Sequence, residues 1–327
     1  MYNSKITGLG YFVPENVVTN DDLKQWMETS DEWIQERTGI KERRWIDPAT
    51  GETTSTMAVK ASRIAIERAG LTKDDIDFIV FATLSPDMYF PGGGVRVQDM
   101  LDMPTIGALD VRNQCSGFIY SLSVADQFIK TGMYKHVLVI GADTFSTITD
   151  WTRRDSVFFG DGAGALVISE TNEDKGFIDF LLHSDGTGKD HFTIMAGGSE
   201  EPSSSESIKF KKHFFKMNGP EVFKTAVDVV PKSIMNLLNK NNYKIDDIKC
   251  LLPHQPSIGI LKKIAEKIEM PFEKVKTNMD RYANTSGATI PIILDETRKN
   301  DGFQAGDIVL FAAVGAGWTW GSALYKW

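Results

Sequence analysis

The sequence predicts an α/β protein made of two similar halves, because one set of strand and helix patterns occurs twice along the chain. Residues 72–81 and 244–253 each combine a polar start containing Asp-Asp-Ile with a short apolar strand, and they lie 172 positions apart. Apolar strands at 137–143 and 308–314 repeat 171 positions apart. This nearly constant spacing indicates two copies of one α/β unit, which can pack about a pseudo-twofold axis.

The remaining elements follow the same order in both halves. Amphipathic helical patterns at 57–69 and 221–239 precede the repeated strands. In the first half, an apolar stretch at 106–111 leads through a polar turn into a long amphipathic helix at 117–130. In the second half, the small-residue segment 282–291 is the corresponding turn and helix start. Strands that alternate with helices in this way favour sheets covered by helices.

Two segments fall outside the repeat. Residues 30–51 are rich in charge and Trp, and residues 176–218 are loop-like around a Gly- and Ser-rich centre. We interpret both as excursions, the second either mobile or edge-forming. Because no long linker separates independent units, the expected division is into an N-terminal half, 1–170, and a C-terminal half, 171–327.

Composition and charge narrow the class of protein. The 327 residues are 42% hydrophobic and 24% charged, as in globular proteins. The sequence has no run of about 18 apolar residues and no signal-peptide pattern, so we expect neither a membrane span nor export. Two cysteines do not make a disulfide framework, which favours a cytoplasmic protein with reduced thiols. A net charge of −8 argues against nucleic-acid binding.

Cys115 lies in the turn between the strand at 106–111 and the helix at 117–130. Free backbone N–H groups and the positive end of the helix dipole at a helix start both favour a thiolate. Cys115 is therefore a candidate nucleophile, although a lone cysteine is equally often a buried small hydrophobe. The other cysteine, Cys250, falls within an apolar strand, and we expect it to be structural.

Two polar residues of the second half occupy related positions. His254 follows the strand at 246–252, and Asn284 lies in the small-residue turn, where the 171-residue spacing places Cys115 opposite Ser286. Taken singly, the histidine is more often structural and the asparagine is usually a helix cap. If the halves pack about a pseudo-twofold axis, the three side chains meet in one cleft.

Such a set suits a thiolate that attacks an activated acyl carbonyl. The backbone N–H of Cys115 and the small-residue turn at 314–317 can supply oxyanion donors. His254 and Asn284 can donate to a second developing anion, such as the enolate formed by decarboxylation. A cysteine peptidase uses the same residue types, but the Cys-Gly-Ser-Cys-Trp setting of the papain type is absent. A non-catalytic acyl-binding protein is a third reading, which the intact triad disfavours.

At this level of detail the chain resembles the β-ketoacyl-acyl-carrier-protein synthase III family, a branch of the thiolase-fold condensing enzymes. The resemblance covers essentially the whole chain. Besides the segments around Cys115, His254 and Asn284, it rests on four further motifs: Thr-Ser-Asp-Glu-Trp-Ile at 29–34, Arg-Thr-Gly-Ile at 37–40, Phe-Gly-Asp-Gly-Ala-Gly-Ala at 159–165 and Gly-Trp-Thr-Trp-Gly-Ser-Ala-Leu at 317–324. It implies a thiolase-like fold with α-β-α-β-α layers.

The resemblance also implies a reaction. An acyl-CoA primer acylates Cys115, and malonyl-acyl carrier protein then decarboxylates while His254 and Asn284 stabilise the enolate. Attack of the enolate on the acyl-cysteine gives a 3-oxoacyl product, as in the initiation of fatty acid biosynthesis. No metal or redox cofactor is implied. The family is homodimeric, and Phe90 matches the residue that reaches into the partner's acyl tunnel.

Binding residues transfer by position. Trp33 matches the residue that stacks on the CoA adenine, and Arg37 matches a contact to CoA phosphate. For the second CoA arginine the chain is one residue short, so Arg153 and Arg154 are both candidates, with Arg153 preferred. On residue type alone, Trp33 and Arg37 would be ordinary members of a surface helix.

The chain departs from the family in two places. The arginine that matches a carrier-protein contact is replaced by Gly259, although nearby basic residues offer an alternative landing site for an acidic carrier: Lys224, Lys262, Lys263 and Lys267. Arg112-Asn-Gln114 before the cysteine is bulkier and more polar than usual, which can reshape the primer pocket. The alternative function is therefore a specialised relative that joins or transfers acyl groups with a non-standard primer or acceptor.

Overall fold

The computed structural model describes residues 3–327. Its strands, in chain order, are β1 (Asn3–Phe12), β2 (Val17–Thr19), β3 (Glu42–Arg44), β4 (Phe78–Ala82), β5 (Gly107–Val111), β6 (His136–Thr144), β7 (Asp161–Thr171), β8 (Gly176–Ser184), β9 (Phe192–Thr193), β10 (Lys216–Met217), β11 (Ile248–Pro253), β12 (Ile308–Gly315) and β13 (Thr319–Lys326). Its α-helices are α1 (Asp31–Thr38), α2 (Thr54–Arg68), α3 (Gly93–Met100), α4 (Gly117–Lys130), α5 (Ser205–Lys209), α6 (Gly219–Lys240), α7 (Ile258–Lys267), α8 (Met279–Tyr282) and α9 (Thr289–Asn300).

The two main sheets have matching strand orders. The first sheet runs β1-β7-β6-β4-β5 and the second runs β8-β13-β12-β11. In both, the first two neighbouring pairs are antiparallel and the third pair, β6 with β4 or β12 with β11, is parallel. The prediction of two similar α/β halves is thus confirmed, with β5 as an additional edge strand of the first half. The division at residue 170 stays a prediction, and β7 ends one residue beyond it.

The sheets and helices form five layers. Helices α4 and α9 lie between the two sheets, α2 and α3 cover the outer face of the first sheet, and α6 and α7 cover the outer face of the second. In β6, Val137 and Val139 face the central layer, whereas Leu138 and Ile140 pack against the outer helix layer. Because both faces of this strand are buried, it is apolar without a break from Val137 to Ala142, and β12 alternates between layers in the same way.

The turns that precede α4 and α9 have the same backbone geometry. Each is a 3₁₀ turn, at Gln114–Ser116 and at Ser286–Ala288, and the two turns lie 172 positions apart. Each begins on a non-glycine residue with a positive φ, 46° at Gln114 and 53° at Ser286. The structure therefore places Cys115 opposite Gly287, and the 171-residue spacing that set it opposite Ser286 was wrong by one residue at this turn.

Other sequence predictions need correction. Residues 176–218 are not an excursion throughout, because their first nine residues form β8 and pair with β13. As an edge strand, β8 agrees with the edge-forming alternative. The strand placed at 246–252 starts two residues later, since a 3₁₀ turn occupies Ile245–Asp247. Helix α4, by contrast, has the bounds that the sequence predicts.

Candidate active site

Cys115 lies in the turn before α4 and is 4% exposed. The end of β12 packs directly against this turn. A Cβ at Gly315 would lie 2.9 Å from the Cys115 backbone nitrogen, so only a glycine allows so close an approach. On the other side, the Ser116 hydroxyl bonds to Thr319 Oγ1 at 2.8 Å, which ties the turn to β13. The nucleophile of the first half is thus held by strands of the second.

Burial dominates the ionisation of Cys115. It raises the pKa of the thiol to about 12, with the buried Asp143 carboxylate adding to the rise, while the nearby Ser286 side chain opposes it. The expectation that the helix start yields a thiolate is therefore not met in the free site. At neutral pH the group is a thiol, and its attack on an acyl carbonyl requires a base.

His254 follows β11, and its surroundings fix its orientation. Its backbone N–H donates to the carbonyl of Ala312 at 2.8 Å. The neighbouring Gln255 side chain donates to two backbone carbonyls, at 2.9 and 3.1 Å, which anchors the turn. The imidazole Nδ1 lies 2.9 Å from Thr289 Oγ1. The ring is therefore held from its Nδ1 side.

The protonation of His254 follows from burial and from Thr289. Burial lowers the pKa of the imidazole to about 3, so the ring is neutral at neutral pH. The Thr289 hydroxyl donates to the Ser286 carbonyl at 2.8 Å, and it then accepts from His254 Nδ1–H. In this arrangement Nε2 carries a lone pair and can act as a base.

Asn284 is held by both halves. Its backbone N–H donates to the Phe158 carbonyl at 2.9 Å, and its carbonyl accepts from Gly160 N–H at 3.1 Å. Its side-chain Oδ1 accepts from Ser286 N–H at 2.8 Å. Because the oxygen of the amide is already used, the Nδ2 group remains to donate to a ligand in the cavity that Asn284 lines.

Two cavities meet at Cys115. The larger, about 500 Å³, is lined by all three predicted catalytic residues, Cys115, His254 and Asn284, together with Arg37. The smaller, about 250 Å³, is lined by Cys115 and by residues of other segments, including Phe145 and Phe215. The structure thus brings the predicted triad together and places the cysteine in the lining of both cavities.

Two supporting residues were missed by sequence reasoning. Thr289 lies inside the motif around Asn284, but its contact with His254 joins elements 35 positions apart. Asp143, the last but one residue of β6, lies in the buried interior and accepts hydrogen bonds from the backbone N–H groups of Leu84 at 2.8 Å and Gly287 at 3.2 Å. In the sequence, Asp143 can be recognised as a carboxylate that follows the apolar run of a predicted strand.

Three of the predicted CoA-binding residues, Trp33, Arg37 and Arg154, lie together at the surface, with Trp33 half-buried. The guanidinium of Arg154 lies 4.2 Å from the Trp33 ring centroid and that of Arg37 lies 5.2 Å from it. Arg153, the candidate preferred from sequence, instead pairs with Asp155 through Nε at 2.8 Å. The structure therefore favours Arg154 over Arg153 as the partner of Trp33, although the role of either arginine stays a prediction.

Residues predicted to contact other proteins are exposed. Phe90 is 79% exposed, next to an equally exposed Tyr89. At Gly259, on α7, an added Cβ would meet nothing within 4 Å, so this position faces open space. Lys262 and Lys267 of the same helix are exposed as well. These positions are accessible to a second protein, but their roles stay predictions.

Within residues 3–327, no helix is both long enough and apolar enough to cross a membrane. In the same described range, no three His, Cys, Asp or Glu side chains come together in a group that could hold a metal ion.

Comparison with known proteins identifies the family. The model of the 3-oxoacyl-[acyl-carrier-protein] synthase III C terminal matches residues 238–327, and that of 3-oxoacyl-[acyl-carrier-protein] synthase III matches residues 109–186. The chain is 43% identical over 323 residues to a β-ketoacyl-[acyl-carrier-protein] synthase III of Caldanaerobacter subterraneus, covering 98% of this chain and 97% of the relative. A synthase III from Natranaerobius thermophilus is 42% identical over 331 residues, covering 100% of both chains.

A solved structure agrees with these relatives. The crystal structure of 3-oxoacyl-[acyl-carrier-protein] synthase III from Aquifex aeolicus matches with a TM-score of 0.91 at 38% identity, covering 99% of this chain and 100% of that one. That family has the thiolase-like fold expected from the sequence, so the resemblance is confirmed. The chain is a member of the 3-oxoacyl-[acyl-carrier-protein] synthase III family of condensing enzymes.

Proposed function

We propose that this enzyme transfers an acyl group from acyl-CoA to Cys115 and condenses it with malonyl-acyl carrier protein, giving 3-oxoacyl-acyl carrier protein and CO₂. The observation that carries this assignment is the meeting of two cavities at the thiol. A substrate attached to Cys115 occupies the smaller cavity, while the larger one, which holds His254 and Asn284, admits first the CoA arm and then the carrier's arm. The two half-reactions then share one nucleophile.

In the first half-reaction Cys115 attacks the thioester carbonyl. Since the thiol is protonated at neutral pH, the neutral His254 Nε2 accepts its proton as the C–S bond forms. The Cys115 backbone N–H and the turn at 314–317 provide donors for the oxyanion. The C–S bond to CoA then breaks, and CoA leaves as the thiol with the proton held by His254.

In the second half-reaction the malonyl group loses CO₂ and leaves an enolate, which attacks the acyl-cysteine. The new C–C bond forms as the C–S bond to Cys115 breaks, and the released thiolate takes up a proton. Asn284 Nδ2 is one donor to the enolate oxygen. His254 is a second donor only if Nε2 carries the proton, which requires the Thr289 hydroxyl to donate to Nδ1 instead of to Ser286. One hydroxyl can make either bond, so Thr289 supports His254 first as an acceptor and then as a donor. These steps call for no metal or redox cofactor.

Substrate and partner contacts follow from the exposed groups. Arg37 lines the larger cavity and lies beside Trp33. We therefore assign Trp33, Arg37 and Arg154 to the binding of the nucleotide of CoA. The basic residues Lys224, Lys262 and Lys267 form the landing site for the acidic carrier in place of an arginine at Gly259.

The enzyme is a homodimer in which Phe90 enters the partner's acyl pocket. Both cysteines are unpaired, which fits a reducing compartment, and we place the enzyme in the cytoplasm.

A second candidate is a specialised relative that joins or transfers acyl groups with another primer or acceptor. The observation that favours it is Gly259, which leaves the carrier-facing start of α7 without a basic side chain. The two candidates share the acylation of Cys115 and differ in the second substrate.

The test is intact-protein mass spectrometry after incubation with a panel of acyl-CoAs. The wild type gains the mass of one acyl group and Cys115→Ala gains none, whereas Cys250→Ala is acylated like the wild type. Malonyl-acyl carrier protein then removes the adduct and releases a 3-oxoacyl product. An adduct that persists with malonyl-acyl carrier protein but is consumed by another acyl acceptor supports the second candidate. Acylation of Cys115→Ala to the wild-type extent contradicts the assignment.

A further inference from the structure

The smaller cavity beside Cys115 has a mixed lining. Phe145, Phe192 and Phe215 give it an aromatic wall, as expected for an acyl pocket. Arg112 and Lys189, however, also line this cavity of about 250 Å³. Both residues are exposed in the single chain, so they lie at the open end of this cavity. A pocket that binds only an alkyl chain does not require two cations at its open end.

The positive charge in this cavity is not neutralised by its own lining. No acidic residue lines the cavity. Among the described residues, no carboxylate lies within ion-pairing distance of Arg112, and its guanidinium makes no hydrogen bond. Lys189 pairs with its exposed chain neighbour Asp190 at 3.0 Å, a contact of the kind that contributes little. Asp190 and Glu200, whose negative charges raise the pKa of Lys189, do not line this cavity.

We infer that the primer is a dicarboxylic acyl thioester, whose far carboxylate binds Arg112 and is attracted by Lys189. This inference rests on the proposed function and names its substrate class. The thioester carbonyl lies at Cys115, the methylene groups pack on the aromatic wall, and the terminal carboxylate reaches the cations. Arginine suits this role, because its planar guanidinium can hold both carboxylate oxygens at once.

The chemistry of the first half-reaction is unchanged by the extra carboxylate. Cys115 Sγ forms a bond to the thioester carbon, the bond to the CoA sulfur breaks, and CoA leaves as the thiol with the proton from Cys115. The far carboxylate takes no part and stays ionised. After condensation the product is a 3-oxoacyl thioester that still carries a terminal carboxylate, so a further enzyme of the pathway must accept an acidic chain.

The inference is tested with thioesters matched in length and differing in charge. Rates of Cys115 acylation are measured by intact mass for succinyl-CoA against butyryl-CoA and for adipoyl-CoA against hexanoyl-CoA. We expect the dicarboxylic member of at least one pair to react about tenfold faster or more, since a charge-assisted hydrogen bond exceeds a neutral one by roughly this factor. Arg112→Met keeps the unbranched aliphatic part of the side chain, removes the charge and should abolish this preference.

A matched control is Lys135→Met, which removes an exposed cation at the start of β6, outside the lining of both cavities. It should leave all four rates unchanged. Faster acylation by the monocarboxylic member of both pairs overturns the inference while leaving the proposed function intact. Equal losses for both members of a pair in Arg112→Met also overturn it. If no acyl-CoA of either kind forms an adduct on Cys115, the proposed function fails and this inference fails with it.

Discussion

The strand ends of the two halves are built alike and used differently. In the first half, Thr83 directly follows β4 and Asp143 is the last but one residue of β6; both are buried and are joined by a hydrogen bond of 3.1 Å. In the second half, the corresponding ends of β11 and β12 carry His254 and Gly315, and both line the larger cavity. The pair in the first half is hydrogen-bonded in the interior, whereas the pair in the second half lines the larger cavity. A duplicated backbone therefore fixes where side chains can meet, but not which copy performs the chemistry.

The two helix-starting turns show the same division. The first turn contains Cys115. Asn284 lies two residues before the start of the second turn at Ser286. Asp143 of the first half accepts a hydrogen bond from Gly287, so the bracing strand end holds the turn that presents Asn284. The halves are thus interdependent, since each supplies support for a reactive group of the other.

The largest expected effect is the pH dependence of Cys115 reactivity. Burial raises the pKa of this thiol to about 12, so only a small thiolate fraction exists at neutral pH. The thiolate is the reactive form, and the rate of alkylation by iodoacetamide should therefore rise about tenfold per pH unit, or about 100-fold between pH 8 and pH 10. Stopped-time mass spectrometry measures the rate, and Cys115→Ala gives the background from Cys250. A plateau below pH 8 would show that the helix start outweighs burial.

A smaller effect is expected at Thr289. Thr289→Val keeps the shape of the side chain and removes the hydroxyl that contacts His254 Nδ1. We expect condensation to slow by about tenfold to 100-fold, since a group that orients a general acid or base is removed, while acylation of Cys115 falls less. Thr289→Ser restores the hydroxyl and should recover most of the rate. Equal losses in Thr289→Val and Thr289→Ser would reduce Thr289 to a packing residue.

The smallest effect is expected at the outer arginines. Arg154 stacks over Trp33, whereas Arg153 is held by Asp155. Removing one exposed cation–π and phosphate contact should cost about 1 kcal/mol, so Arg154→Met should raise the KM for acyl-CoA about fivefold. Arg153→Met is the matched control and should change the KM less. A larger increase in Arg153→Met would restore the assignment made from sequence.

The sequence predicted the elements that depend on local pattern. The bounds of α4, the repeated strands and the convergence of Cys115, His254 and Asn284 all follow from periodicity and spacing. The features that escaped depend on contacts between distant segments. The Thr289–His254 hydrogen bond joins the start of α9 to the loop after β11, and the turn that carries Cys115 packs against β12 of the other half. Likewise, adjacent Arg153 and Arg154 differ only in the direction of their side chains.

The central claim is that the Cys115 turn carries the acyl group while the Asn284 turn serves the condensation. Its most direct test is intact-protein mass spectrometry of Asn284→Ala, first with acyl-CoA and then with malonyl-acyl carrier protein. We predict that the acyl adduct forms on Cys115 and then persists, because the enolate has lost its amide donor. If the adduct is consumed at the wild-type rate, or never forms in a folded variant, the division of labour between the two turns is contradicted.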